Sequence, residues 1–506
     1  MTKPVRVRFA PSPTGPLHIG GVRTALFNYL FAKKHNGIFY VRIEDTDQNR
    51  FVEGAEAYIF ESLKWLGITP DETVGVNEKF GPYRQSERKD LYKQFVDQLI
   101  DAGKAYYAFD TADALNSYRA KAESEGTTFI YNWENRETFD TSLNLSKEAL
   151  DVRLTNGDPF VIRFKMYDAT TDAPTIEATD LIRGNVSFKR ALLDDKVLFK
   201  QDGLPTYHLA NIVDDHLMET SHVIRGEEWL PSLPLHIALY DAFKWDAPEF
   251  AHLPLIMKPV GKGKLSKRDG DKLGFPVFPL DWKTADSFSM GYREQGYFPE
   301  AVVNFLALLG WNDGTDKELF TLEELIQSFD ISRVHKSGAK FDPEKNKWFN
   351  HQYLQTQSDA AIAKLYLPIV TNYKADATLD YVAKVVTLVK ERANFITDLW
   401  DLSDYFFVSP NEYDAKASKK QWKEQTPDIM KELVQVLYGI PDFSSQNTET
   451  IVKTWLQDKG YGFGQVMPPF RLALVGAMKG PHIFDISELL GKQETISRLE
   501  KAITTL

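Results

Sequence analysis

The first 70 residues of this 506-residue chain alternate between β-type and helical patterns, and this order constrains the fold most strongly. A β-type run at residues 5–10 leads through a proline- and glycine-rich loop into a helical pattern at 20–35. A second β-type run at 38–43 precedes another helical pattern at 54–66. A β–loop–α–β–α order predicts a parallel, doubly wound sheet with ligands beyond the carboxyl ends of its strands.

The rest of the chain divides into regions with different helical and β-type patterns. Residues 106–190 mix a polar helix, an aromatic stretch and β-type runs, which indicates an insertion before the α/β pattern returns. After about residue 279 the pattern is helical to the end. We therefore predict an α/β Rossmann-like parallel-sheet domain with an α+β insertion, followed by all-α C-terminal domains. The predicted parts are 1–107 and 191–257 for the two halves of the sheet domain, 108–190 for the insertion, 258–340 for a basic loop with a helical domain, and 341–506, with a possible split near 405.

Composition excludes several kinds of chemistry. The chain has no cysteine, so disulfides, thiolate metal sites and cysteine nucleophiles are ruled out. Its formal net charge is −11, so a nucleic-acid partner would have to be held by local basic patches. The first ten residues lack the apolar region of a signal peptide, and no apolar run is long enough to span a bilayer. We therefore expect a cytoplasmic protein.

The loop at residues 11–21 is the first candidate for a ligand site. Its three prolines stiffen the chain, and Gly20 and Gly21 open a helix whose free N–H groups favour an anion, with His18 beside them. Such a site could hold the phosphates of ATP, although the chain contains neither a Walker loop nor a G-x-G-x-x-G motif. The alternative is a rigid turn in which His18 serves only as a helix-entry residue.

The second candidate is the basic loop at residues 258–272, which contains the run Lys264-Leu265-Ser266-Lys267-Arg268. Lysine and arginine on a glycine-bounded loop can close over phosphates and stabilise charge that develops on a leaving pyrophosphate. The alternative is a solvated basic loop with no ligand.

Together, the two motifs resemble the HIGH and KMSKS signatures of class I aminoacyl-tRNA synthetases. His18-Ile19-Gly20-Gly21 corresponds to the first signature and residues 264–268 to the second. Four further runs are similar to those of bacterial glutamyl-tRNA synthetases: RFAPSPTG at 8–15, RIEDTD at 42–47, YHLANIVDDH at 207–216 and RGEEWL at 225–230. The resemblance spans the whole chain, and after about residue 350 it rests on the helical pattern rather than on motifs.

The resemblance implies a two-step reaction. Glutamate and ATP form glutamyl-adenylate and pyrophosphate, and the terminal adenosine of tRNA then accepts the glutamyl group. Such enzymes typically require tRNA for the first step. The catalytic residues implied are His18, Lys264, Lys267 and Arg268. The ATP-binding residues implied are Pro11, Thr14, Gly15, His18, Gly20, Gly21, Glu228, Trp229 and Lys267.

Glutamate carries two carboxylates and one ammonium, so its site requires arginine and an acid. The resemblance assigns Arg8, Ala10, Ser12, Glu44, Tyr207, Asn211 and Arg225 to this site. Which arginine takes which carboxylate stays open. The alternative roles are an outward-facing strand residue for Arg8, a surface acid or helix cap for Glu44 and a core aromatic for Tyr207.

The resemblance also sets expectations for cofactors and partners. Mg²⁺ is expected to enter with ATP, and no zinc is expected because the stretches that correspond to the zinc-binding insertion of some relatives lack cysteine. The acids Asp45, Asp47, Asp214 and Asp215 are not assigned to a metal. The partners implied are ATP, L-glutamate and the glutamate tRNA, with charging of the glutamine tRNA left open, and the family suggests a monomer.

The insertion 108–190 is expected to bind the acceptor end of tRNA, residues 258–340 its stem, and residues 341–506 its anticodon. Candidate cations for these contacts are Arg119, Lys121, Arg136, Arg333, His335, Lys336, Lys340, Lys345, Lys347, Lys390 and Arg392. For each of them the alternative is a solvated surface cation.

Four other functions fit parts of the sequence. A glutaminyl-tRNA synthetase usually shows a different residue pattern around 207–216, and the shorter relative that glutamylates a modified base lacks the anticodon-binding third that this chain is expected to have. A non-catalytic RNA-binding protein on a synthetase fold should have lost signature residues, whereas His18 and Lys267 are present. A nucleotidylyltransferase of a small metabolite would not require the long helical C-terminal region.

Overall fold

The computed structural model describes residues 4–506, apart from the side chain of Gln48. The chain forms two compact units. The first contains residues 4–295 and 302–343, and the second contains residues 296–301 and 344–506. The first unit is α/β and the second is helical, which confirms the predicted fold class. Within residues 4–506, no helix is both long enough and apolar enough to cross a membrane.

The strands all lie in the first unit as far as the described residues go. They are β1 (Arg6–Phe9), β2 (Ile38–Val41), β3 (Ala105–Ala108), β4 (Val161–Phe164), β5 (Thr175–Asp180), β6 (Gly184–Lys189), β7 (Val197–Lys200), β8 (His222–Gly226), β9 (Glu249–Leu253), β10 (Ile256–Met257), β11 (Trp282–Lys283), β12 (Phe288–Ser289) and β13 (Ala339–Lys340).

The helices follow the same chain order. Those up to residue 328 are α1 (Ile19–Lys34), α2 (Ala55–Trp65), α3 (Lys89–Asp101), α4 (Ala112–Ser124), α5 (Lys147–Asn156), α6 (Tyr207–Leu217), α7 (Leu233–Phe243), α8 (Lys267–Leu273), α9 (Pro299–Leu308) and α10 (Leu322–Ser328). The later helices are α11 (Pro343–Thr356), α12 (Asp359–Thr371), α13 (Leu379–Val389), α14 (Asp398–Ser403), α15 (Ala415–Gln421), α16 (Thr426–Tyr438), α17 (Ser445–Lys459), α18 (Phe463–Val475), α19 (Ile483–Leu490) and α20 (Lys492–Thr505).

Two neighbouring sheets form the centre of the first unit. Strand β1 pairs in parallel with β2, and β8 pairs in parallel with β9 in the order β6-β5-β9-β8. The backbone N–H of Ser221 donates to the carbonyl of Arg6 over 2.9 Å, which ties the beginning of β8 to β1. The carboxyl ends of β1, β2 and β8 therefore open onto one side, where a doubly wound sheet binds its ligands.

A separate antiparallel sheet of β3, β4 and β7 lies beside a small aromatic core that includes Tyr106, Tyr131 and Phe139. Strands β5 and β6 fall within the range predicted as the insertion, yet β5 pairs with β9 of the central sheet through Asp180 and Phe250. The domain boundaries proposed from the sequence stay a prediction.

Two local expectations from the motifs are wrong. The basic stretch at 258–272 is not loop throughout, because α8 begins at Lys267. The carboxylate of Asp269 accepts hydrogen bonds from both the backbone N–H and the hydroxyl of Ser266, and so caps this helix. Among the cations expected to contact tRNA, Arg136 does not lie on the surface: it is buried and pairs with Asp195 at 3.3 Å.

Helices of the second unit share an apolar core. Met430, Leu433, Phe470 and Leu499 are all fully buried in it. The helices that supply these residues are amphipathic, since apolar side chains recur three or four positions apart along α16 and α20.

We expect Leu499→Ala to lower the free energy of unfolding of the second unit by about 2–5 kcal/mol, because a fully buried leucine leaves a cavity when truncated. The measurement is urea unfolding followed by circular dichroism. The matched control is Ser497→Ala on the exposed side of the same helix, which should change the value by less than about 0.5 kcal/mol. Equal effects of the two substitutions would contradict the packing described here.

Candidate active site

Three cavities meet at the carboxyl ends of β1, β2 and β8. The inner cavity has a volume of about 240 Å³, the middle cavity about 330 Å³ and the outer cavity about 460 Å³. Gly21, in the first turn of α1, lines all three, so the cavities lie side by side along one crevice. This is the crevice that the order of the first elements predicts.

The inner cavity contains every residue assigned to glutamate. They are Arg8 on β1, Ala10 and Ser12 in the loop after β1, Glu44 after β2, Tyr207 and Asn211 on α6, and Arg225 on β8. The structure thus brings together residues that are far apart in the sequence, while their individual roles stay predictions.

Arg8 is already paired inside this cavity. Its Nε and Nη2 atoms donate to the two carboxylate oxygens of Asp215 over 3.0 and 3.1 Å. Arg42 donates from Nη1 to the same carboxylate and from Nη2 to Glu44, each over 2.9 Å. All four side chains are buried, so their charges interact in a medium that screens them weakly.

Glu44 is held as an acceptor. Its Oε1 atom receives hydrogen bonds from Arg42 and, over 3.1 Å, from the amide of Asn211. Burial raises the pKa of Glu44, and the positive charge of Arg42 opposes that effect. A carboxylate of this kind is suited to an ammonium group that would replace the lost hydration.

Arg225 has a different environment. Its guanidinium donates to neutral acceptors: the ring nitrogens of His252 and His236, the hydroxyl of Tyr207 and the carbonyl of Trp229. Among the residues that the structure describes, no aspartate or glutamate forms an ion pair with it. Burial lowers the pKa of Arg225, yet a guanidinium stays protonated at neutral pH. The cavity therefore contains a buried cation without a carboxylate partner.

His18 caps the N-terminus of α1 in the middle and outer cavities. Its Nδ1 atom accepts the N–H of Gly20 over 3.2 Å, and its Nε2 atom is buried without a hydrogen-bond partner. Burial lowers the pKa of His18 to about 4, and the charge of Lys264 acts in the same direction. The ring is therefore neutral with its proton on Nε2, which leaves one N–H donor available to a ligand.

The residues of the second motif divide between the cavities. Lys264 lines the middle cavity and pairs with Glu228 at 3.5 Å, while Lys267 lines the outer cavity as the first residue of α8. Arg268 is exposed and lines none of the three cavities.

The other residues assigned to ATP line the same crevice. Gly20 and Glu228 line the middle cavity, and Pro11, Thr14 and Gly15 the outer one. Trp229 instead lines the inner cavity, where its ring lies 4.3 Å from that of Tyr207.

Several residues of the site were missed by sequence reasoning. Arg23 of α1 lines the middle cavity and donates over 2.7 Å to the carbonyl of Leu309, but no spacing in the sequence singled it out. Arg42 begins the run RIEDTD, of which only Glu44 was assigned to a ligand. His236 and His252 had no motif, because only the three-dimensional arrangement places them against Arg225.

The acids that could suggest a metal site have other partners. Asp214 accepts from Arg88 over 2.7 Å, Asp45 accepts from Ser86, and Asp47 pairs with Arg50 at 2.6 Å. Within the described part of the chain, no group of three or more histidine, cysteine, aspartate or glutamate residues is arranged to hold a metal ion.

Known proteins match the chain from end to end. A family model described as the catalytic domain of class I tRNA synthetases (E and Q) matches residues 4–348, and an anticodon binding domain model matches residues 360–503. The glutamate–tRNA ligase of Flavobacterium johnsoniae is 68% identical over 506 residues and covers 100% of both chains. That of Bacteroides fragilis is 56% identical over 507 residues, with 99% of each chain covered.

A solved structure agrees with these matches. The glutamate tRNA ligase from Elizabethkingia meningosepticum, in complex with its amino acid, superposes with a TM-score of 0.97. It is 50% identical, and the superposition covers 100% of both chains.

We expect Asp215→Asn to destabilise the first unit by about 3–5 kcal/mol, because Arg8 and Arg42 would lose the charge that compensates them in a buried site. Burial alone would raise the pKa of Asp215, but the two arginines lower it below the ordinary value. As the pH falls, the carboxylate of Asp215 is therefore protonated in the unfolded chain before it is protonated in the folded chain. The contribution to stability is complete above about pH 4 and is lost as the pH falls through the lowered pKa.

The measurement is urea unfolding of the parent and the variant between pH 3 and pH 7. The difference between them should shrink on acidification. Asp241→Asn, which removes an exposed carboxylate on α7, is the matched control and should show little difference at any pH. A pH-independent difference for Asp215→Asn would contradict the role of its charge.

Proposed function

The chain belongs to the glutamate–tRNA ligases, a family of class I aminoacyl-tRNA synthetases, and we propose that it attaches glutamate to tRNA with ATP as the energy source. The relatives named above are glutamate–tRNA ligases, and one of them was solved with its amino acid bound. The proposal assigns the amino acid to the inner cavity and ATP to the middle and outer cavities.

The observation that carries this assignment is the charge pattern of the inner cavity. Buried Arg225 has no acidic ion-pair partner among the described residues, Glu44 supplies a negative charge, and Arg8 lines the same cavity. Glutamate carries the complementary set of two carboxylates and one ammonium. A glutamine side chain would leave the charge of a buried arginine uncompensated, which favours glutamate as the amino acid.

In the first step, a carboxylate oxygen of glutamate attacks the α-phosphorus of ATP. The bond from that phosphorus to the bridging oxygen of the β-phosphate breaks, and pyrophosphate leaves. The first four N–H groups of α1 already have acceptors in Val277 and His18, so they are not free as the sequence predicts. The Nε2 proton of His18 can instead be donated to a phosphate oxygen, and the positive end of the α1 dipole favours phosphate charge. Lys267 can compensate the charge on the leaving pyrophosphate. No residue forms a covalent intermediate, so catalysis consists of positioning and electrostatic stabilisation.

In the second step, a hydroxyl oxygen of the terminal ribose of tRNA attacks the activated carbonyl carbon. An ester bond forms, the hydroxyl proton passes to a phosphate oxygen of the departing AMP, and the bond between the carbonyl carbon and the phosphate group breaks. Because the three cavities adjoin at Gly21, we assign the adenylate to the same crevice in both steps.

We expect Mg²⁺ to enter with ATP. The metal would neutralise phosphate charge, and phosphate oxygens would supply most of its ligands. The hydrogen bonds of Asp45, Asp214 and Asp215 to serine and arginine side chains support this view, since those carboxylates are already engaged.

The remaining parts of the chain are proposed to bind tRNA. Residues 108–190 would bind its acceptor end, residues 258–340 its stem and residues 341–506 its anticodon, and the match of residues 360–503 to an anticodon binding domain supports the last of these. If lysine and arginine side chains bind the phosphates of tRNA, the affinity for tRNA should fall as the salt concentration rises. Because its substrates occur there, the same proposal assigns the enzyme to the cytoplasm.

The decisive experiment is charging of purified glutamate and glutamine tRNAs with labelled glutamate, with labelled glutamine as the control amino acid. We expect glutamate to be transferred to the glutamate tRNA and glutamine not to be transferred. Pyrophosphate exchange with and without tRNA should show that activation requires tRNA. Transfer of glutamine, or no transfer at all, would refute the proposal. Charging of the glutamine tRNA with glutamate would reveal a broader tRNA specificity.

We expect Lys267→Ala to lower the rate of charging about a hundredfold or more while glutamate binding changes little, because the lysine acts on charge that develops in the transition state. The measurements are kcat for charging and glutamate affinity by calorimetry. The matched control is Lys272→Ala, which removes the same charge near the end of the same helix. Equal rates for Lys267→Ala and the parent at saturating substrates would refute this role.

A further inference from the structure

A chain of buried hydrogen bonds runs behind the inner cavity. Asp180 at the end of β5 accepts from Nδ1 of His252 on β9 over 2.6 Å, and Nε2 of His252 accepts from Nε of Arg225 over 3.1 Å. On the other side, Nδ1 of His236 on α7 lies 3.2 Å from Nη1 of Arg225, and its Nε2 lies 3.3 Å from Nδ1 of His208. Arg225 is therefore held between two histidines that contact different guanidinium nitrogens.

The direction of each hydrogen bond follows from the arginine. A guanidinium can only donate, so both histidine nitrogens that face Arg225 must be acceptors without a proton. His252 then carries its proton on Nδ1, where it donates to Asp180, and His236 carries its proton on Nε2, where it donates to His208. The four contacts are satisfied together by one set of neutral tautomers.

Burial keeps these rings neutral. His236 and His252 are fully buried, and burial lowers the pKa of both, although Asp180 opposes the effect at His252. Either ring in its protonated form would place a donor and a second positive charge against Arg225. The neutral form is thus required by the geometry as well as favoured by the environment.

Arg8 and Arg225 are oriented by different kinds of group. Arg8 is oriented by the carboxylate of Asp215, which also compensates its charge. Arg225 is oriented through histidine nitrogens, which fix a guanidinium equally well but carry no negative charge. A carboxylate in either histidine's place would compete with a substrate carboxylate for Arg225.

We propose that His236 and His252 are positioning residues for amino-acid recognition: they orient Arg225 through neutral acceptors and so leave its charge for a carboxylate of the substrate. Asp180 fixes the required tautomer of His252. This inference rests on the proposed function, because it takes glutamate as the ligand of the inner cavity.

The sharpest test is a pair of variants that differ only in charge. Asparagine and aspartate place an oxygen close to the position of a histidine Nδ1 atom, so His236→Asn and His236→Asp both supply an acceptor to Arg225. We expect His236→Asn to keep the KM for glutamate within about threefold of the parent and His236→Asp to raise it about tenfold or more, with kcat and the KM for ATP changed far less in both.

The second histidine is tested by a conservative pair. Glutamine places its oxygen close to the position of a histidine Nε2 atom, so His252→Gln should retain an acceptor for Arg225 and stay nearer the parent than His252→Leu. Nitrogen NMR of the histidine rings provides a spectroscopic check, and it should show His252 protonated on Nδ1 and His236 on Nε2. The opposite tautomers would overturn the proposal.

The matched control is His222→Asn and His222→Asp on β8, three residues before Arg225. His222 contacts Ser221 and the ring of Phe31 rather than Arg225, so this pair should not differ in the KM for glutamate. Thermal melting of every variant separates loss of folding from loss of binding. If the parent charges glutamate but the two His236 variants have equal KM values, the positioning role is refuted. If the parent does not charge glutamate at all, it is the proposed function that fails.

Discussion

Asp215 compensates two buried arginines, and the arrangement of the inner cavity depends on this interaction. Arg8 belongs to β1, Arg42 follows β2, and Asp215 lies on α6, so a single carboxylate joins three elements that are distant in the sequence. Arg42 then carries the connection to Glu44, and Asn211, one turn before Asp215, reaches the same acid. Without the central charge, Arg8 would be buried without its carboxylate partner, and Arg42 would keep only Glu44 and the more distant Asp214.

The site also shows two ways of fixing an arginine. Arg8 and Arg42, which join elements, are oriented by carboxylates that also cancel their charge. Arg225, which faces the cavity without such a partner, is oriented by uncharged groups and keeps its charge. Asp180, Asp214 and Asp215 are all buried acids near the site, yet none forms an ion pair with Arg225. The distribution of acids is therefore as informative about the site as the distribution of arginines.

Much of this organisation could be predicted from the sequence. The β–loop–α–β–α order indicated the sheet and the edge at which ligands bind, and the motifs of a known family selected residues that line one cavity. The partners of those residues could not be predicted, because Arg8 and Asp215 are 207 positions apart and no local pattern links them. For the same reason β5 was assigned to the insertion although it pairs with β9. The beginning of α8 did have a local signal in Ser266 and Asp269, but the surrounding glycines and charges favoured a loop.

The adjoining cavities share one position without a side chain. Gly21 lines all three of them, and a Cβ atom there would lie 2.7 Å from Cδ1 of Leu17, which lines the inner and outer cavities. Even a methyl group at position 21 would occupy space at the boundary of the cavities and would displace the end of the Leu17 side chain. The backbone of α1 can therefore approach a ligand in any of the three cavities closely, and a ligand that extends from one cavity to the next meets no side chain at this position.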